Sequence, residues 1–302
     1  MKPGLPVWRS LLYVPVNVEK YVAKAHTRGA DCVQLDLEDS VPAAEKDSAR
    51  TCVQAAAARV RRGGADVVVR INRPLQMAVR DLEAAIGPDV DGIAVTKAQS
   101  ADHLLLLDEL VGELEAKRGL KPGHTRFIAM IETPAAFFRM REIACAVDRL
   151  AAMNIGGEDF ALENGMAPSE ETLLMPKQQM VFAACSGGLM PLGFIASVAG
   201  FGDWQAFRTM VRRSRQFGFM GAGCIHPGQV PIVNQEYTPS ADEVAYARRV
   251  IGENVIAEAA GRASFALDGK MIDVPVVTRA RRLIERQAAI EVRENAIRAM
   301  RG

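Results

Sequence analysis

Short runs of apolar and often β-branched residues recur along most of the chain, separated by longer segments whose apolar positions follow helical spacing. The runs lie about 31 residues apart on average, which is the repeat of a (β/α)8 barrel of about 250 residues. Eight strands are predicted, at Leu11–Val14, Cys32–Leu37, Val67–Ile71, Gly92–Val95, Phe127–Ile131, Met153–Gly156, Gly193–Ser197 and Ala222–Ile225. Helices are predicted between them, at Val18–Gly29, Glu45–Arg62, Gln76–Ile86, Ser100–Lys117, Ala135–Leu150, Lys177–Gly187 and Trp204–Gly218. This alternation indicates an α/β fold, a parallel (β/α)8 TIM barrel.

The pattern changes beyond the last predicted strand. Ser240, with Glu243 three residues later, has the spacing of a capping box and predicts a helix that runs to about Gly261. A short extended stretch and a charged helix to about Met300 follow. We predict that residues 1–238 form the catalytic barrel and residues 239–302 a C-terminal helical arm. Such an arm could close over its own active site or pack on a neighbouring subunit.

Charged and polar residues follow the predicted strands. In a parallel barrel the carboxyl ends of the strands form the mouth where active sites lie, so these side chains are expected to converge there. They are Asp36, Glu38 and Asp39 after the second strand, Arg70 and Asn72 after the third, Lys97 after the fourth, Glu132 after the fifth, Glu158 and Asp159 after the sixth, and His226 after the eighth. A charged residue at one strand end would be weak evidence, but such residues at six strand ends that meet at one mouth indicate a functional site.

Glu132 and Asp159 end consecutive strands and are the candidate metal ligands. Mg²⁺ prefers oxygen ligands and is usually held by one or two carboxylates together with substrate oxygens and water. The alternative is that each acid only caps the helix that follows it. Gly156 and Gly157 precede Asp159 and allow the backbone to approach a metal or ligand closely, or simply form a tight turn.

Composition narrows the function classes. The chain has 302 residues, 49% of them hydrophobic, and a formal net charge of +1, which argues against nucleic acid or an anionic membrane as the main partner. No apolar segment reaches the length of a membrane span, so we expect a soluble protein of the cytoplasm. Five scattered cysteines predict neither a disulfide framework nor a zinc site. Nucleotide-binding glycine motifs and the serine hydrolase elbow are missing from the sequence.

Six ordered motifs resemble the citrate lyase beta-subunit-like CoA-ester lyases, within the citrate lyase and hydroxy-acid aldolase superfamily. The motifs begin at Arg9, Leu35, Arg70, Ile131, Gly157 and Ile225, and read RSLLYVP, LDLEDS, RIN, IETP, GED and IHPGQV. The resemblance covers nearly the whole chain. It implies a barrel fold, Mg²⁺ dependence, a homotrimer or hexamer, and cleavage of a 3-hydroxy-acyl-CoA such as malyl-, citramalyl- or citryl-CoA.

The residues can be matched to that reaction, in which the 3-hydroxyl is deprotonated and an enolate is stabilised. Arg70 offers a fixed fork of donors for a carboxylate or the enolate oxygen. Glu38 and Asp39 are expected to orient metal-bound water or Arg70. By resemblance, Asp273 in the Met-Ile-Asp-Val-Pro element is a catalytic acid–base group supplied by a neighbouring subunit's arm. The residues predicted to contact substrate are Arg70, Lys97, Gly157, Glu158 and Pro134, and Lys97 could instead only neutralise the carboxylates.

Some positions depart from the pattern of many relatives. Val16 stands where glycine is frequent and Thr96 where proline is frequent, and Ala135 and Ala222 replace cations. A free hydroxy-keto acid cleaved by a metal-dependent aldolase therefore remains an alternative to the CoA thioester. A citrate lyase-type subunit that needs an acyl-carrier partner is a second alternative, and thioester hydrolysis after cleavage is a lesser one.

Overall fold

The computed structural model describes residues 2, 4–197 and 202–301. Eight strands form one parallel sheet: β1 Ser10–Pro15, β2 Cys32–Asp36, β3 Asp66–Ile71, β4 Gly92–Val95, β5 Arg126–Ile131, β6 Leu150–Ile155, β7 Met190–Pro191 and β8 Ala222–Cys224. The sheet order is β7-β6-β5-β4-β3-β2-β1-β8, and a parallel bridge between Leu192 and Gly221 joins its two edges. The predicted α/β TIM-barrel fold is confirmed.

Alternation along the strands separates two apolar layers. In β2, Val33 and Leu35 pack into the large core beneath the helices, while Cys32 points into a second apolar cluster inside the barrel. Val68 and Ile128 lie in that same inner cluster. Because side chains on one face of a strand recur every second residue, Asp36, Arg70 and Glu132 face inward at the upper ends of β2, β3 and β5.

Ten helices surround the sheet within the described residues: α1 Glu19–Ala25, α2 Lys46–Arg61, α3 Leu75–Ala85, α4 Ala101–Lys117, α5 Pro134–Phe137, α6 Met140–Ala144, α7 Gly157–Glu163, α8 Glu170–Ser186, α9 Trp204–Gln216 and α10 Gln229–Glu236. No helix among the described residues is long and apolar enough to cross a membrane.

The positions of two strands were predicted wrongly. The seventh strand is Met190–Pro191 instead of Gly193–Ser197. It ends before Gly193, whose φ of 132° interrupts an extended chain. The sixth begins at Leu150, where the sequence predicted the end of a helix. The leucine and alanines at its start suit either element by composition, and pairing with β5 selects the strand.

Several helices also differ from the prediction. The single helix expected over Ala135–Leu150 is two short helices, α5 and α6. Helices α7 and α10 were missed, and α8 starts at Glu170, with Pro176 inside it. Ser169 caps α8 in a capping box with Thr172, which lacks the Glu or Gln of the usual sequence signature.

The chain forms two compact units, of which the second is Thr238–Met300. In it, α11 spans Ala241–Ala259, and the predicted capping box between Ser240 and Glu243 is confirmed. An antiparallel hairpin follows, with β9 at Phe265–Leu267 and β10 at Lys270–Ile272, and then α12 at Val274–Arg301. Val250, Ile272 and Val277 belong to a small core of this unit.

Candidate active site

A cleft of about 950 Å³ opens at the carboxyl ends of the barrel strands. Its lining includes Tyr13 from β1, Arg70 from β3 and Glu132 after β5. Helix α1 with the turn that follows it, the start of α7, and the loops after β2, β6 and β8 form the remaining walls, which include Lys20, Tyr21, Lys24, Arg28, Asp36, Asp39, Gly156, Gly157, Glu158, Asp159 and His226. The charged strand ends therefore meet at one mouth.

Arg70 lies at the centre of a carboxylate cluster and is 9% exposed. Its Nε and Nη2 donate to the two oxygens of Asp36, both at 2.7 Å. Its Nη1 lies 2.7 Å from Glu38 Oε2 and 3.2 Å from Asp39 Oδ2. All three guanidinium nitrogens therefore have carboxylate partners, and a substrate carboxylate or enolate oxygen would have to replace Glu38 or Asp39 at Nη1.

The acids of this cluster differ in protonation. Burial tends to raise the pKa of Asp36, but its hydrogen bonds with Arg70 and the charge of Arg70 hold that pKa below its ordinary value. Burial raises the pKa of Glu38 to about 7, with a further contribution from Asp39 and opposition from Arg70. Asp36 is therefore the fixed ionised partner of Arg70, while Glu38 can exchange a proton near neutral pH.

Lys97 connects the Arg70 cluster to the proposed metal ligands. Its backbone N–H donates to Glu132 Oε2 at 2.7 Å, and its Nζ lies 3.4 Å from both Glu38 Oε1 and Asp159 Oδ1. Its φ is 47°, in the left-handed region that few side chains other than glycine adopt. Such strained backbone persists where the surroundings enforce it, and it is common at functional sites.

Glu132 is 2% exposed and is packed against the backbone of Gly156. A side chain at Gly156 would place its Cβ 2.4 Å from Glu132 Oε1, so only glycine fits there. Burial raises the pKa of Glu132 to about 7, and Asp159 adds to this effect while the Lys97 amide opposes it. A buried carboxylate next to a second acid has an electrostatic requirement for a cation.

The donor set fits the proposed Mg²⁺. Glu132 and Asp159 both reach the cleft, and two carboxylates leave coordination positions for substrate oxygens and water. The described residues hold no cluster of three or more His, Cys, Asp or Glu side chains with metal-binding geometry. A closed structural metal site is therefore not formed by this part of the chain, whereas an open, substrate-completed site needs only the two acids.

The other predicted substrate contacts lie at or near the same mouth. Gly157 and Glu158 line the cleft, where Glu158 accepts a hydrogen bond from Ser197. Pro134 is the first residue of α5, directly after its cap Thr133, and is not part of the lining.

Similarity to known proteins identifies the family of this chain. Residues 9–227 match the model of the HpcH/HpaI aldolase/citrate lyase family. The chain belongs to this family. Citrate lyase subunit beta of Escherichia coli is 32% identical over 289 residues, which cover 95% of each chain. The L-malyl-CoA/beta-methylmalyl-CoA lyase of Cereibacter sphaeroides is 33% identical over 298 residues, which cover 91% of each chain. The chain is therefore a carbon–carbon lyase of this family.

A solved structure has the same fold. CitE of Mycobacterium tuberculosis, in complex with magnesium, acetoacetate and coenzyme A, is 30% identical and superposes with a TM-score of 0.73. The match covers 94% of this chain and 99% of CitE. CitE, a structural neighbour of this chain, therefore binds magnesium, a keto acid and coenzyme A.

Two predicted residues have well-defined local roles. His226 lines the cleft, and its Nδ1 accepts a hydrogen bond from the Gly228 amide at 3.0 Å, which fixes the backbone of the loop after β8. Asp273 belongs to the unit Thr238–Met300 and precedes α12, where its Oδ1 accepts from the Val276 amide at 3.4 Å. Its proposed catalytic role stays a prediction.

Two residues that support Arg70 and the loop after β3 were not predicted from the sequence. Tyr13 lines the cleft beneath Arg70, whose guanidinium carbon lies 5.2 Å from the ring centre. Asp81, buried on α3, accepts hydrogen bonds from both Asn72 nitrogens at 2.7 Å and so fixes the loop after β3. The sequence signal for Asp81 was an acidic residue on the buried face of a helix. Tyr13 lies inside an apolar run and gave no such signal.

The raised pKa of Glu132 leads to a pH-dependent prediction. A carboxyl whose folded pKa lies near 7, above its unfolded value, stabilises the folded state at low pH and loses that contribution as pH rises to about 7. We expect the metal-free wild type to lose about 2 kcal/mol of unfolding free energy between pH 5.5 and 8 relative to Glu132→Gln. Denaturant unfolding with chelator measures this, and a pH-independent difference would contradict it.

Proposed function

We propose that this lyase cleaves a 3-hydroxy-acyl-CoA in a Mg²⁺-dependent retro-Claisen reaction that yields acetyl-CoA and a 2-keto acid. The 3-hydroxyl loses its proton, the bond between carbons 2 and 3 breaks, and the electron pair forms the thioester enolate. Protonation of the enolate carbon then gives acetyl-CoA. The supporting observation is that one cleft joins a pair of carboxylates able to hold Mg²⁺ with a row of cations able to bind a phosphorylated tail.

The carboxylates of Glu132 and Asp159 would hold Mg²⁺. The bound ion supplies Lewis-acid chemistry that lowers the pKa of the 3-hydroxyl and orients the 2-hydroxy acid unit. Lys97 neutralises part of the surrounding negative charge, and Arg70 directs its Nη1 to the developing enolate or to the substrate carboxylate. Glu38, with its pKa near 7, is placed to take up or release a proton beside Arg70.

The cations of α1 and the nearby Arg28 support CoA over a free acid. Lys20 and Lys24 are four residues apart on one face of α1, Arg28 follows three residues after the helix ends at Ala25, and all three line the cleft. No carboxylate forms an ion pair with them in the part of the chain that the structure describes. Phosphate groups bind such unneutralised cations, so α1 can compensate for the cations lost at Ala135 and Ala222.

The arm completes the proposal. We propose that its Asp273 reaches the mouth of a neighbouring copy in a homotrimer or hexamer and supplies the proton to the enolate. The resemblance to the CoA-ester lyases supports this assignment.

A coupled assay tests the function. The purified full-length chain is given malyl-, citramalyl- and citryl-CoA and the corresponding free acids, with Mg²⁺ or with chelator. We expect release of acetyl-CoA and a keto acid from at least one thioester, only with Mg²⁺. Cleavage of free acids alone would favour the aldolase alternative. Activity that appears only with an acyl-carrier protein would favour the alternative of a multienzyme subunit. Citrate lyase subunit beta, one of the similar proteins, is named as a subunit.

Removing the α1 cations tests CoA recognition. In Lys20→Ala with Lys24→Ala we expect KM for the thioester to rise about 10-fold with kcat nearly unchanged, because each exposed phosphate contact contributes only about 0.5–1 kcal/mol. The matched control is Lys117→Ala with Lys121→Ala, two exposed lysines outside the cleft. An unchanged KM would show that the tail of CoA does not lie along α1.

A further inference from the structure

Lys177 is a buried lysine outside the residues that line the cleft. It lies on α8, is 4% exposed, and its burial lowers its pKa to about 8, with Glu158 opposing that shift. Burying an ammonium group costs free energy unless hydrogen bonds compensate for lost water. The position of its Nζ therefore calls for a specific partner.

The partner is the loop after β7. Lys177 Nζ donates to the carbonyl oxygen of Ala196 at 2.7 Å. The same ammonium lies close to the first residue of α7, since a Cβ built on Gly157 would be only 3.3 Å from Nζ. One buried group is thus near two segments of the mouth, the loop after β7 and the start of α7.

A second interaction joins the same two segments. The hydroxyl of Ser197, next to Ala196, donates to Glu158 Oε1. Glu158 follows Gly157 and precedes Asp159 in the first turn of α7, so both interactions act on the segment that carries a proposed Mg²⁺ ligand. Lys177 and Ser197 therefore both link the start of α7 to the loop after β7.

We propose that Lys177 is a positioning residue that, together with Ser197, couples the loop after β7 to the start of α7 and so holds Asp159 in place for Mg²⁺. This inference rests on the proposed function, since it assumes that Asp159 is a metal ligand. Groups that orient metal ligands typically change metal affinity about 10- to 100-fold when they are removed.

The direction of the change in Mg²⁺ affinity distinguishes a positioning role of Lys177 from a purely electrostatic one. Lys177 carries a positive charge near the proposed cation, so losing that charge alone would tighten Mg²⁺ binding. If Lys177 acts by positioning, its loss releases the Ala196 carbonyl and loosens the start of α7, and Mg²⁺ binding weakens. The unbranched side chain of methionine fills a similar volume without a donor, which makes Lys177→Met the informative change.

Calorimetric titration of the full chain with Mg²⁺ is the test. We expect the dissociation constant to rise about 10-fold or more in Lys177→Met. In Ser197→Ala, which removes one partly exposed hydroxyl, we expect a rise of about 3-fold. The control is Lys2→Met, because Lys2 Nζ also donates to backbone carbonyls, those of Val147, Asp148 and Leu150 at 3.1, 3.3 and 3.4 Å, at the opposite end of β6.

The outcomes are distinct. In the expected case the apparent KM for Mg²⁺ also rises in Lys177→Met, while kcat at saturating Mg²⁺ returns to near the wild-type value. Unchanged or tighter binding in both Lys177→Met and Ser197→Ala overturns the inference while leaving the proposed function intact. If Lys177→Met does not fold, the Ser197→Ala result decides. A wild type that binds no Mg²⁺ contradicts the proposed function and the inference together.

Discussion

Replacing Glu132 by glutamine is expected to lower kcat at least about 10³-fold, since a bound metal ion contributes several kcal/mol of transition-state stabilisation. Glutamine keeps the size of the side chain and can still accept the hydrogen bond that Lys97 N–H makes at 2.7 Å. The change therefore removes charge and leaves the local geometry nearly intact. Thermal unfolding should show a folded protein, and titration should show much weaker Mg²⁺ binding.

Glu115→Gln is the matched control for Glu132→Gln. Glu115 is equally buried, and it accepts hydrogen bonds from the Gly123 and Thr125 amides and pairs with Arg149, away from the cleft. We expect this variant to lose stability without a comparable loss of kcat. If Glu132→Gln kept wild-type turnover and wild-type Mg²⁺ affinity, Glu132 would not be a metal ligand.

Replacing Arg70 by lysine is expected to lower kcat/KM by about 10²–10³, the usual cost of losing a preorganised donor at a developing charge. Lysine keeps the positive charge but cannot bind both Asp36 oxygens while pointing a further N–H at Glu38 and at substrate. Arg70→Ala is less informative, because it removes the arginine that neutralises the buried Asp36 carboxylate, and breaking a buried ion pair in this way costs about 3–5 kcal/mol.

Arg9→Lys is the control for Arg70→Lys. Arg9 makes a similar two-point contact with Asp31, through Nε at 2.8 Å and Nη2 at 2.9 Å, and both side chains are buried at the start of β1 and β2. If loss of a forked ion pair only weakens the fold, both variants should lose stability and activity together. A selective loss of kcat/KM in Arg70→Lys would assign Arg70 to the reaction, whereas equal kinetics in the two variants would contradict it.

The order of strands and helices could be predicted because burial imposes a regular pattern on the sequence. Six of the eight predicted strands overlap their observed positions to within about two residues at each end, a typical error for strand boundaries. The errors at Met190–Pro191 and Leu150 arise where runs of leucine, alanine and glycine satisfy more than one element. In such runs, pairing with a neighbouring strand selects the register, and that pairing is a long-range contact.

The sequence by itself determined that this chain is a parallel barrel with acids and cations at its strand ends, and it determined the family, since the ordered motifs carry both. Only the tertiary structure decided how those groups are paired. The three guanidinium nitrogens of Arg70 pair with Asp36, Glu38 and Asp39. The backbone of Lys97 adopts a left-handed conformation and donates to Glu132. Lys177, on a helix, donates to the carbonyl of Ala196. These contacts join residues from different strands and loops, so their distances, burial and pKa values depend on packing that no local pattern encodes.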